Sequence, residues 1–393
     1  MIERDDLHAV RTVFFKELTD ASRDRRTLTM VMISSVLIGP LVLLALSALI
    51  ASQEQRAERR EVWVAGAEHA PSLVNFLQRQ TYTVKAAPPD YERQLRASTL
   101  GEPVLVVSAD FEAQLVRGEV ARVELVTDSA NRQAEAAAGR VTRLLGAFGR
   151  ERSTLNLALR GVSPVLAEPI DVDERDLAST QARASQFTSL VPFFVMMAVL
   201  YGALHAALDT TAGERERGSL EPLLMNPARR GALVVGKWAA VAALGMLIAA
   251  LSCFSFLPGQ WLLRSDTLQA LFQFGPREAL AFLLLLVPFA AALSAVLMAV
   301  AIRCKSYKEA QASSALVVLG VSMLPLVTLF NESGEAPWQL WVPALAQQML
   351  MARVLKGEAL GAVQVAIPVG VCMALTALGI AYVAHALRRA AIR

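Results

Sequence analysis

The sequence predicts a membrane all-α bundle of six transmembrane helices with an inserted extracytoplasmic α/β domain, on three observations. The chain of 393 residues is 54% hydrophobic, with a mean hydropathy of +0.43; ordinary soluble proteins have an apolar share nearer ~45–50%. Six apolar runs are each long enough to cross a hydrocarbon core of ~30 Å at ~1.5 Å per helical residue. Between the first two runs lies a polar stretch, residues 52–186, which at about 135 residues suits one compact domain.

In chain order, a segment at 1–26 precedes the first span at 27–51. Leu7, Val10, Phe14 and Leu18 recur there at helical spacing while Arg11, Glu17 and Asp20 fall elsewhere. That pattern predicts an interfacial helix along the inner leaflet; the alternative is a disordered tail. The first span is retained rather than cleaved, because acids as well as bases precede it and no clean A-x-A follows. The remaining spans are expected at 187–208, 233–257, 279–302, 312–330 and 362–387. All are helices, since lipid leaves no backbone group unpaired and no run shows the alternation of a membrane barrel.

Within 52–186, β-rich runs at Glu61 to Val64, Tyr82 to Ala86, Pro103 to Val107 and Val120 to Thr127 alternate with helical ones. The helical runs are Ser72 to Gln80, Tyr91 to Ala97 and Ala109 to Val116. The order is β-α-β-α-β-α-β. A longer helical tract, Asn131 to Arg160, reads as a stalk leading toward the membrane.

Orientation follows from the short loops. Arg23, Arg25 and Arg26 precede span one; Arg215, Arg217, Arg229 and Arg230 lie between spans two and three. Arg303, Lys305 and Lys308 separate spans four and five, and Arg388, Arg389 and Arg393 lie in the tail at 388–393. Basic loops stay inside, so both termini are expected in the cytoplasm, as in a multi-pass protein of the bacterial cell (inner) membrane. Trp238, Trp261, Trp338 and Trp341 fall at or near span ends, as an aromatic belt places them.

Several function classes are excluded. A net charge of +3 gives no nucleic-acid signal. Cys253, Cys304 and Cys372 sit in or beside apolar runs and predict no disulfide; His8, His69, His205 and His385 lack metal-ligand spacing. His205 reads as a packing or interface residue. The stretch Gly231 to Trp238 fits G-x-x-x-x-G-K but puts Trp where a phosphate loop needs a hydroxyl for magnesium. Lys237 is therefore expected to snorkel to the interface. No nucleophile-and-base pairing, metal triad or paired acids at membrane depth marks an enzyme.

The link between spans two and three, 209–232, carries the chief motif. It reads as a short surface helix: Ser219 caps, Glu221 suits the positive helix start, Pro222 is tolerated in the first turn, and Asn226-Pro227 stops it. Leu220, Leu223 and Leu224 give one apolar edge beside the charges of Glu214 to Arg217, a layout suited to docking in a partner's groove. The alternative is a solvated loop against the bilayer.

The string Glu214-Arg-Glu-Arg-Gly-Ser-Leu-Glu-Pro-Leu-Leu followed by Pro227 and Gly236-Lys237 resembles the hallmark of ABC-2 family permeases of ABC transporters. Three further stretches are similar to the same family, particularly to its sodium-export branch: Phe15 to Thr27, Pro103 to Gly118, and Val342 to Glu358. The resemblance implies that Glu214, Arg215, Glu216, Arg217, Gly218, Ser219, Leu220, Glu221, Leu224 and Pro227 contact a separate soluble ABC ATPase. It further implies that ATP and Mg reside on that partner with no cofactor on this chain, that a second permease copy, identical or related, completes the path, and that part of the outer loop at 331–361 dips back into the membrane. Lipid surrounds the spans.

No span holds Asp or Glu in its middle; Ser34, Ser35, Gly39 and Pro40, Ser252 and Ser255, and Ser313, Ser314 and Ser322 are there instead. Such residues more often pack helices than bind ligands. Sodium thus comes from the resemblance, and a drug, lipid or peptide cargo suits an uncharged path at least as well. A rival reading is a membrane sensor whose outer domain binds a ligand.

Overall fold

The computed structural model describes residues 4–58, 60–163, 190–219, 228–259, 274–330 and 336–390, together with Val165, Thr188, Pro222, Trp261 and Phe272. The chain divides into two units, Ser52–Asp176 and the remainder.

The larger unit is helical. It begins with α1 (Arg4–Arg23) and α2 (Arg25–Glu58), and resumes with α7 (Val191–Leu208), α8 (Arg230–Gly259), α9 (Pro276–Ala301), α10 (Tyr307–Phe330), α11 (Pro343–Lys356) and α12 (Ala362–Ala390). Among the described residues four helices are long and apolar enough to cross a membrane: Val191–Glu216, Arg230–Gly259, Pro276–Ala301 and Ala362–Arg389; Thr29–Ala45, within α2, is a shorter apolar stretch.

Helices α7, α8 and α9 pack mutually, α12 lies against α8 and α9, and α1 lies along α8. Small residues permit the closest crossings: a Cβ on Gly202 would stand 3.1 Å from the Gly245 Cα, and one on Gly379 would stand 2.8 Å from the Ala295 Cβ. Without a hydrophobic driving force between helices in lipid, such close backbone approach is what supplies dispersion contact. Ala344 to Met351 of α11 are all buried, packed among α7, α9, α10 and α12. Trp238 is half-buried and donates from Nε1 to the Ala291 carbonyl of α9 at 2.8 Å, so it joins two helices rather than standing in a belt; Trp261, Trp338 and Trp341 are exposed.

The unit Ser52–Asp176 holds a four-stranded sheet ordered β2-β1-β3-β4, with β1 (Glu61–Ala65) parallel to β2 (Thr83–Ala86) and to β3 (Val104–Val107), and β4 (Val123–Val126) antiparallel to β3. Helices α3 (Pro71–Arg79), α4 (Tyr91–Arg96) and α5 (Phe111–Arg117) connect the strands, and α6 (Arg132–Leu159) follows. The pleat separates two cores. Val62, Val64, Leu105 and Val107 meet Leu73, Phe76, Leu77 and Phe111 on one face; Trp63, Val104 and Val106 meet Leu95, Leu100 and Ala134 on the other.

Helix α6 departs from the expected stalk. Its Val141 and Phe148 are buried in the first core, Phe148 meets the Phe76 ring at 5.4 Å, and Arg79 pairs with Glu151 at 2.6 Å. A helix with that much apolar contact is a layer of the unit, not a spacer. Its start is fixed by Asn131, whose side chain accepts from Ala134 N and donates to the Leu95 and Leu100 carbonyls.

Candidate coupling site

The second apolar helix does not stop at Leu208. A π turn, Asp209–Gly213, carries it on to a last helical turn, Glu214–Glu216, so the segment expected to be a separate link starts as a helical extension. It ends at Gly218, whose φ of 69° is the left-handed conformation open to glycine. Gly218 N donates to the Arg215 carbonyl and Ser219 N to the Glu214 carbonyl, the paired bonds of a Schellman cap. The Ser219 hydroxyl also donates to the Glu214 carbonyl, so among described residues it closes the preceding helix. Leu220, Glu221, Leu224 and Pro227 lie outside the described residues.

The charged string splits into an inward and an outward part. Glu214 is only 5% exposed, whereas Glu216, Arg217, Gly218 and Ser219 are exposed. Glu214 is not the solvent-facing charge that its sequence neighbourhood implies. Its Oε1 is 2.9 Å from Lys16 Nζ of α1, and its Oε2 is 2.6 Å from Lys237 Nζ of α8. The second contact is an ion pair by distance without hydrogen-bond angles.

Lys237 likewise departs from expectation. It is 3% exposed instead of snorkelling, and it donates to Glu17 Oε1 at 2.9 Å and to the Thr210 carbonyl at 3.0 Å. Glu17 in turn receives Lys16 at 3.0 Å. Two lysines and two glutamates thus form a closed, neutral cluster, with Asp20 at its rim 3.2 Å from Lys16. Burial opposes the charge on Lys16, but hydrogen bonds to Glu214 and Glu17 outweigh it and raise its pKa above the ordinary lysine value.

The cluster requires α1 to lie tightly on α8, and Gly236 provides the space: a Cβ there would fall 2.8 Å from the Val13 Cβ and 2.9 Å from the Val10 carbonyl oxygen. The face of α1 that packs is therefore Val10, Val13 and Glu17, while Leu7 is 56% exposed. The packed stripe is rotated from the one that Leu7, Val10, Phe14 and Leu18 predict, because Glu17, a polar residue, is buried by its pairing with Lys237. Arg229 adds an ion pair to Asp6 at 3.0 Å.

Outer residues of the extension reach toward α10. Arg215 donates to the Cys304 carbonyl at 3.1 Å, Glu216 accepts from Tyr307 N at 2.7 Å in the first turn of α10, and Arg217 pairs with Asp209 at 2.9 Å. A carboxylate at a helix start complements its positive end. His205 and Tyr307 Oη stand 3.5 Å apart, bridging α7 and α10. Beside the turn is a cavity of about 330 Å³ lined by Asp24, His205, Asp209, Glu216, Arg217 and Tyr307 with apolar Leu244 and Ile248 behind. Among the described residues no group of His, Cys, Asp and Glu has metal-binding geometry.

Long apolar helices, four of them among the described residues of a length and hydropathy to cross a membrane, define a multi-pass membrane protein. Residues 30–388 match the family described as ABC-2 family transporter protein. The chain belongs to that family: it is an ABC-2 permease, a membrane subunit of an ABC transporter and not its ATPase. It is similar to the ABC transporter permease protein NatB of Bacillus subtilis (strain 168), at 24% identity over 334 residues that make up 83% of each chain. Membership implies a partner ATP-binding subunit.

Proposed function

We propose that this chain is the permease subunit of an ATP-driven exporter and that the extension Glu214–Ser219, continuing toward Pro227, is the handle on which the partner ATPase pushes. The observation that carries the reading is the handle's anchoring. Its exposed outer edge, Glu216 to Ser219, is tied through Glu214 to α1 and α8 and through Arg215 and Glu216 to the start of α10. A load applied there reaches helices on both sides of α7. Closure of two ATPases would tilt these helices and open the path outward.

In this reading α2 and α10 are the two further spans of a six-span bundle, both termini are cytoplasmic in a bacterial inner membrane, and the sheet-containing unit lies outside the cytoplasm. Helix α11 is the re-entrant element, and two copies, identical or related, complete the path. ATP and Mg bind the partner alone. Sodium is the cargo that the sequence resemblance favours, but the bundle's own chemistry fits an uncharged or amphipathic cargo as well. Ser252, Ser294 and Ser314 are fully buried with hydroxyl oxygens that make no hydrogen bond among the described residues, and no acid accompanies them at mid-span.

Charge reversal tests the handle. The double variant Glu216→Arg with Arg217→Glu should insert and fold, yet lose co-purification with the ATPase and transport by at least tenfold. Undiminished transport would remove the handle from the mechanism.

A further inference from the structure

Glu214 reaches its lysines only because the helix is out of ordinary register. In an α-helix the Glu214 N–H would donate to the Thr210 carbonyl, four residues back. Here it donates to the Asp209 carbonyl, five residues back, with a second contact to Thr211. One extra residue is therefore taken up in the turn. At 3.6 residues per turn, removing that residue swings Glu214 by ~100° around the helix axis, away from Lys16 and Lys237.

The displaced acceptor has found a substitute donor. Lys237 Nζ, 3.0 Å from the Thr210 carbonyl, occupies the position that the Glu214 amide has left, while also pairing with Glu17 and Glu214. The hydroxyls of Thr210 and Thr211 bond back to the Ala206 and Ala207 carbonyls, at 2.8 and 2.5 Å. Back-bonding of this kind loosens and bends a helix. In the observed register the Thr210 carbonyl is met by the Lys237 ammonium from α8, while the Glu214 amide turns to Asp209 and Thr211.

We propose that the Asp209–Gly213 π turn is a register-setting joint and that Lys237 is the positioning residue that holds it, fixing the direction in which Glu216 to Ser219 project. Its role as the aim of an ATPase handle rests on the function proposed above. The joint itself is a property of this chain and is tested without any ATPase.

The test is hydrogen exchange on the full chain in nanodiscs, with thermal unfolding alongside. Lys237→Met leaves Glu17 and Glu214 sharing one lysine and lowers the unfolding temperature. Glu17→Gln with Lys237→Met restores charge balance and recovers most of that loss, but the Thr210 carbonyl still lacks its donor. Amides of Gly213 to Arg217 should therefore exchange at least tenfold faster than wild type in both variants. Deleting Ala212 removes the extra residue, and in that background Lys237→Met should no longer alter exchange at these amides. Protection that returns together with the unfolding temperature in the double variant would overturn the proposal, reducing Lys237 to a counter-charge. So would an effect of Lys237→Met that persists undiminished after the deletion. A negative result leaves the charge-reversal test of the handle untouched, and failure of the latter leaves the joint standing.

Discussion

Replacing Gly236 by Ala should detach α1 without unfolding the bundle. The added Cβ would lie 2.8 Å from the Val13 Cβ, 2.9 Å from Val13 Cγ1 and 2.9 Å from the Val10 carbonyl oxygen. To regain ordinary contact at ~3.5 Å, α1 must withdraw by about 0.7 Å. That movement stretches the 2.9 Å contacts of Lys237 with Glu17 and of Lys16 with Glu214 beyond hydrogen-bond length. Overpacking costs ~1–3 kcal/mol, and Ala in place of a helical Gly returns ~1 kcal/mol to α8. The return belongs to α8 and does nothing for the attachment of α1. The bundle's unfolding temperature should thus move little, while amides of α1 exchange ~5–150-fold faster, the equivalent of ~1–3 kcal/mol. Gly320→Ala, a substitution in α10 with nothing within 4 Å of the new Cβ, is the control and should leave α1 unaffected. Adding Val13→Ala should not rescue Gly236→Ala, because the Val13 Cβ and the Val10 carbonyl remain. Unchanged protection of α1 in Gly236→Ala, or full rescue by Val13→Ala, would refute the close approach.

Two predictions concern other groups. Asn131 is 97% buried by its 3% exposure and makes hydrogen bonds to Ala134 N and to the Leu95 and Leu100 carbonyls. Asn131→Ala removes a cap worth ~1 kcal/mol and strands buried carbonyls at ~1–3 kcal/mol, so exchange at Val104 to Val107 should report a loss of ~2–4 kcal/mol. Asn131→Asp keeps the acceptor but has no donor, and a stability near wild type for it would sink the argument. For Lys16 the folded pKa is raised, so its contribution is fully present below the ordinary lysine value of 10.5 and is lost only as pH climbs through the folded value. The difference in unfolding temperature between Lys16→Gln and wild type should therefore be flat from about pH 6 to 9; a slope there would mean that Lys16 loses its proton below the ordinary lysine value, opposite to the direction that its partners impose.

What the sequence made legible followed from local periodicity. Val62 and Val64 are buried between half-buried neighbours, so the strand at Glu61 and the helices between strands could be placed from pattern. The bounds of α6 were equally readable, from the cap at Asn131 to the end at Arg160. The burial of α6 was not, because its Ala and Arg content matches an exposed helix, and the residues that pack, Val141, Leu144, Leu145 and Phe148, are few among 28. The π turn has no sequence signature beyond its paired threonines. The pairing of Glu17 with Lys237 spans 220 residues. A usable hint did exist: Glu17 follows Val10 and Val13 at the seven- and four-residue spacing of one helical face, which places an acid among buried positions.

That hint bears on why such a cluster persists at all. Two ion pairs removed from water seldom outweigh their desolvation, and apolar side chains of like volume would hold α1 to α8 at least as well. Apolar contacts, however, tolerate sliding and rotation, whereas Glu214 meets Lys16 and Lys237 at one azimuth only, and loses both if the turn changes register. The cluster converts a strongly attached helix pair into one whose attachment depends on the state of Asp209–Gly213. Burial makes this dependence steep at Lys237, since withdrawing Glu214 leaves that lysine to share Glu17 with the half-exposed Lys16, which keeps Asp20 at 3.2 Å. If Glu216 to Ser219 are the handle proposed above, a joint of that kind would pass on its displacement as a discrete step rather than as a graded strain, and α1 is the element that would move with it.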